Sequence, residues 1–137
     1  MTELDWTERK LKQLTKIFDT LKIKGKKGIP IIVEGKNDLS ALRELGVIGR
    51  IICVKNSAKF LVDLLDDLES GEVTVFVDFD SSGIHLAKKI TQYLEEKGVK
   101  TDSVLWRKAR SLLGKEIKDV EGVPSYLEKL KKRVSHS

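Results

Sequence analysis

Three carboxylates stand where apolar runs end. Asp78 and Asp80 follow Val75-Phe76-Val77 and precede Ser81-Ser82-Gly83. Glu34 follows the run Ile29 to Val33 and precedes Gly35. Two acids spaced by two residues project to the same side of an extended backbone. Like charges held close repel unless a cation lies between them, so this pattern invites a hard divalent metal ion. A helix cap beside a solvated acid would give the same Asp-Phe-Asp spelling. A second acid-ended strand, at Glu34, favours the metal.

Strands must hold these acids. Pro30–Val33 and Arg50–Val54 read as strands one and two, and Val73–Val77 as strand three. Residues 99–105 read as a fourth strand. Leu11, Leu14, Phe18 and Leu21 predict an amphipathic helix over 4–22. Leu39, Leu42 and Leu45 mark a helix closed by Gly46. Phe60, Leu61, Leu64, Leu65 and Leu68 mark another. Ile84, Ala87, Ile90 and Leu94 mark the helix behind Gly83. Residues 107–113 fit one or two helical turns, and Pro124 suits the first turn of a last helix. Strands alternating with helices predict an α/β fold with a mostly parallel sheet of about four strands and helices on both faces. Right-handed crossovers follow from strand twist. Ligands in such folds sit at strand carboxyl ends near a topological switch point, where Glu34, Asp78 and Asp80 all fall.

The 137 residues fit one compact domain. No stretch approaches the ~20 apolar residues that span a bilayer, so no membrane is expected. Met1 to Lys10 is charged and lacks the apolar core of a secretion signal. The single Cys53 excludes an internal disulfide and a cysteine-built zinc site, which points to a reducing, cytoplasmic setting. The net charge of +5 is uneven: residues 1–96 carry 15 Lys and Arg against 16 Asp and Glu, and residues 97–137 carry 11 against 5. A basic tail beside an acidic site suits a nucleic-acid partner, and equally a solvated Lys-rich surface.

With Glu34-Gly35-Lys36-Asn37-Asp38 at one strand end and Asp78-Phe79-Asp80-Ser81-Ser82-Gly83 at another, the chain resembles a Toprim domain. That metal-binding module is shared by bacterial-type primases, topoisomerases, recombination-mediator proteins and ribonuclease M5. Lys36 in the first motif is similar to ribonuclease M5 and to small stand-alone, primase-like Toprim proteins. The resemblance implies a Rossmann-like Toprim domain over 29–105. An N-terminal helical extension would occupy 1–28, and a basic helical extension 106–137 would pack on the same domain. It implies that Glu34, Asp78 and Asp80 bind one or two Mg2+ ions, with Mn2+ as substitute, and that Glu34 also serves as general acid or base. It implies an orienting role for Asp38. Where some relatives add a third acid, this chain has Ser82.

Gly35 and Gly83 are expected to permit tight turns and close backbone approach. Ser81 and Ser82 could cap the helix or offer its amides to phosphate. Lys36 and Lys55 follow strand ends and could face the same crevice. Arg107, Lys108 and Arg110 could track a phosphate backbone, with Trp106 either stacking on a base or filling the core. His85 and Lys129 to Arg133 read as surface residues. Two functions remain open. One is metal-dependent phosphoryl transfer, such as RNA or DNA cleavage of the ribonuclease M5 kind. The other is a non-catalytic module that binds nucleic acid or a protein partner. A self-sufficient primase and a topoisomerase would need further domains.

Overall fold

The computed structural model describes residues 2–56, 66, 68 and 71–136. The elements are α1 (Glu3–Lys26), β1 (Ile31–Val33), α2 (Lys36–Glu44), β2 (Ile51–Cys53), β3 (Glu72–Val75), α3 (Ser81–Glu96), β4 (Lys100–Asp102), α4 (Val104–Leu113) and α5 (Val123–Ser135). Short 3-10 turns cover Val54–Asn56 and Val120–Gly122. The stripe Phe60, Leu61, Leu64 and Leu65 lies outside the described residues. Leu68, its last member, packs partly buried on the core.

The fold is α/β, with an all-parallel sheet in the order β2-β1-β3-β4. Ile31 pairs with Ile51 on one side and Thr74 on the other, and Val73 pairs with Thr101. The chain leaves β1 toward β2 and leaves β3 the opposite way toward β4. Right-handed crossovers therefore put α2 and α3 on opposite faces. α2 packs on α5, and α5 packs on α1, so these three share a face. Strands covered on both sides are mostly apolar: Ile31, Ile32, Val33, Val73 and Val75 are all buried, with Thr74 buried among them.

Local chemistry sets the element ends. Thr2 and Asp5 exchange side-chain and backbone hydrogen bonds, both 3.1 Å, and start α1. α1 runs on to Lys26, past its expected end, and Gly25 in its last turn lies against the Ile48 carbonyl, where a Cβ would collide. The fourth strand is shorter than the expected 99–105. Asp102 accepts from the Val104 N–H at 2.9 Å and turns the chain into α4. Leu105, Trp106, Ala109 and Leu113 then bury one face of α4.

A half-buried ion network ties α1 to the far end of the sheet. Lys24 Nζ lies 2.7 Å from Asp102 and 3.8 Å from Glu72, and Lys100 lies 3.7 Å from Glu72. Burial pushes the Asp102 carboxyl up, but Lys24 and the Val104 N–H outweigh it and hold the group below its ordinary value. Lys24→Ala leaves Asp102 and Glu72 facing each other in a poorly hydrated place. It is expected to cost about 2 kcal/mol, read from urea denaturation at pH 7. A lowered Asp102 stabilises the fold above the unfolded-state pKa, so the cost should shrink as pH falls through the folded-state value.

Among the described residues no helix is long and apolar enough to cross a membrane.

Candidate functional site

The sheet order places its switch point between β1 and β3. Glu34 directly follows β1. Past β3 the chain stays extended: Phe76 donates to the Ile32 carbonyl at 2.8 Å, which carries Asp78 to the same edge. An edge-to-face ladder from Phe18 through Phe76 to Phe79, with ring centroids 5.7 and 6.1 Å apart, fixes this segment against α1. A cleft of about 300 Å³ opens there, lined by Glu34, Gly35, Lys36, Asn37, Asp38, Lys55, Asp78, Asp119 and Glu121.

The Glu34 and Asp78 carboxyls lie within hydrogen-bonding reach of each other. Asp78 is half-buried, and its pKa is pushed up to about 7. Burial is the main cause, followed by the Glu34 contact and the charges of Glu34 and Asp119; the Val120 N–H opposes them. Near neutrality Asp78 is therefore protonated about half the time and can donate to Glu34. Among the described residues no Lys or Arg forms an ion pair with either acid.

Asp38 is 6% exposed and accepts from the Gly35 N–H at 3.0 Å. Burial, then the Asp78 charge, raise its carboxyl, while the Gly35 and Glu121 amides pull it back. Asp78 Oδ1 accepts from the Val120 N–H at 3.0 Å. The 120–122 turn is thus held by Asp78 through the Val120 amide and faces Asp38, in the first turn of α2, through the Glu121 amide. The Phe79 N–H donates to the Lys118 carbonyl at 2.8 Å, and Trp106 Nε1 donates to the Asp78 carbonyl at 3.2 Å. The C-terminal third of the chain builds one wall of the cleft.

Asp80 takes another role. Its carboxylate accepts from the Gly83 N–H at 2.8 Å and caps α3, and it does not line the cleft. The cap is therefore Asp80, and not Ser81 or Ser82, which are exposed. The extended-strand projection fails for this pair because the chain bends into α3 at Asp80. The expectation for Gly83 holds: a Cβ there would collide with the Asp78 carbonyl. The expectation for Gly35 does not. Its backbone is extended, with φ −144°, and a Cβ would meet only Lys55 Cδ at 3.9 Å and Asp38 Oδ2 at 4.0 Å.

Lys36 and Lys55 are exposed and line the cleft. The basic cluster after β4 is divided. Arg107 and Arg110 face a groove between α3 and α4, and Lys108 faces one between α1 and α4. Trp106 is buried, with the Arg110 guanidinium 4.9 Å from its ring centre. Cys53 is half-buried; burial and then the Asp38 charge raise its thiol, so it stays protonated. Sequence reasoning missed Asp119 and Glu121. Their only local signal is Asp-X-X-Gly before a proline, which spells a cap: Asp119 accepts from the Gly122 N–H at 3.1 Å.

The donor set decides which ion would suit this cleft. Among the described residues no three His, Cys, Asp or Glu side chains gather into a metal cage. Two adjoining carboxyls fit a magnesium-type ion, which keeps most of its waters and needs only one or two carboxylates. They do not supply the ligand sets of structural zinc or calcium.

No family model matches the chain. A UPF0292 protein of Methanosarcina acetivorans is 31% identical over 137 residues, covering 100% of this chain and 95% of the relative. A UPF0292 protein of Thermoplasma volcanium is 38% identical over 103 residues, covering 74% of this chain and 84% of the relative. Among solved structures, a putative protein from Aquifex aeolicus superposes with a TM-score of 0.64 at 26% identity, over 77% of this chain and 94% of its own.

Proposed function

This chain belongs to the UPF0292 family, and we propose that it is a Toprim-type protein whose cleft holds one magnesium ion for phosphoryl transfer on nucleic acid. The observation that carries this reading is the meeting of Glu34 and Asp78, from distant parts of the chain, at the switch point of a parallel sheet. Two carboxyls held together in partial burial carry an electrostatic penalty that a cation would relieve. Such a penalty is costly for stability alone, and perturbed acids of this kind gather where function requires them.

Glu34 and Asp78 would hold the ion. When bound, it would supply charge neutralisation for the phosphoryl group. Asp38 is a positioning group: it fixes the Gly35 end of the first motif and the 120–122 turn. Lys36 and Lys55, exposed at the rim, are suited to phosphate oxygens. Glu34 is the group to accept a proton from an attacking hydroxyl, as a carboxylate at the cleft wall beside the ion.

The use of Asp80 as a helix cap favours one ion over two, and it supports the second reading, a module that binds without turnover. Calorimetric titration of Mg2+ and Mn2+, with cleavage assays on structured RNA and on DNA, separates the two. The first reading expects metal binding and metal-dependent cleavage, both lost in Glu34→Gln. Metal binding without cleavage would leave the module. No binding of either ion by the folded protein would end both forms of the metal proposal.

A further inference from the structure

A second surface is built beside the cleft. α3 and α4 enclose an open groove of about 600 Å³, whose walls include Ile84, Lys88, Glu95, Trp106, Arg107 and Arg110. Lys88, Arg107 and Arg110 face one acid, Glu95. Lys88 and Arg107 are exposed and make no ion pair among the described residues. Arg110 lies over the Trp106 ring, which limits its rotamers. The α3 residues recur at helical spacing from Ile84 to Glu95, a run of roughly 16 Å at ~1.5 Å per residue. That spans on the order of five charges of a nucleic-acid strand at ~3.4 Å each.

We infer that this groove binds the sugar–phosphate backbone of a nucleic-acid strand, with Lys88, Arg107 and Arg110 on its phosphates. The inference rests on the proposed function for its choice of polyanion. The buried Trp106 indole joins the groove wall to the backbone of the segment that carries Asp78, which links the groove to the cleft through the fold. Thr91, Gln92 and Ser103 line the same groove and add uncharged donors, which commonly contact phosphate and sugar. An acidic peptide is the weaker fit, because the cations are strung along an open groove about 16 Å long at ~1.5 Å per residue, which suits the regular phosphate spacing of a strand. Lys108 faces the other side of α4 and takes no part.

The test is binding of a fluorescent single-stranded RNA 12-mer in EDTA, over a range of salt concentrations. Lys88→Ala combined with Arg107→Ala should weaken binding by roughly 10-fold or more at low salt. It should also lower the slope of log K against log salt by about 1.4, at ~0.7 for each phosphate no longer neutralised. Lys129→Ala with Lys132→Ala, both exposed on α5, should change affinity less than about twofold. Both groove side chains are exposed, so the melting temperature should stay near wild type and exclude misfolding as the cause. A cleft that takes no metal would end the proposed function while groove binding survives. Wild-type affinity in the groove variant, no RNA binding by the wild type, or poly-glutamate binding as tightly as RNA would each overturn the inference.

Discussion

Asp78→Asn is expected to stabilise the metal-free protein at pH 8 while removing its response to magnesium. The folded pKa of Asp78 is raised to about 7 from an ordinary value of 3.8. For an acid raised on folding, stability is fully present below the unfolded pKa and is lost as pH rises through the folded one. The metal-free wild type should therefore lose stability across about pH 4 to 7 relative to the asparagine variant. Asp78 is half-exposed, so screening reduces the cost to about 1–2 kcal/mol rather than the full value of the shift. Asparagine keeps an oxygen for the Val120 amide and can donate to Glu34, so the geometry survives. Magnesium should raise the melting temperature of the wild type, and more at pH 8 than at pH 5, because it competes with protons for the same oxygens. Thermal melts of both proteins with and without magnesium measure all of this. A variant less stable than wild type at pH 8, or one stabilised equally by magnesium, contradicts the assignment. Metal-dependent turnover, where present, should fall by at least ~100-fold in the variant, as for loss of a group that stabilises developing charge.

The second large effect concerns glycine. Gly83→Ala is expected to cost at least ~2–3 kcal/mol, because the new methyl must displace the Asp78 backbone. That backbone is held by Trp106 Nε1, and its side chain by Val120, so the strain falls on the cleft. Gly35→Ala should change stability by less than about 1 kcal/mol, since the backbone there is extended and the space is open. Urea denaturation of the two variants gives the contrast. Equal costs would mean that the two glycines serve the same purpose.

The alternation of apolar runs and helical stripes made the parallel sheet readable, because strands covered on both faces are mostly apolar. The meeting of Glu34 and Asp78 was readable for the same reason: both close buried strands that flank the switch point. The role of Asp80 was not. Asp-Phe-Asp carries the same spelling whether the second acid continues a strand or caps a helix, and only the bend at Asp80 separates the two. Gly35 and Gly83 likewise look alike in sequence, although only Gly83 abuts another backbone. Asp119 and Glu121 were hidden because their neighbours have no hydrophobic period. Their place in the cleft depends on long-range contacts of the Lys118 carbonyl and the Val120 amide with Phe79 and Asp78.

Those amide contacts bear on how the protein is made. Synthesis runs from the first residue to the last, so both acid-bearing strand ends leave the ribosome before Lys118, Val120 and Glu121 exist to receive them. A nascent chain halted before residue 118 would carry the acids but lack the wall that orients them. The proposed competence to bind a cation should thus arise late in translation, all at once, when the turn at 120–122 docks.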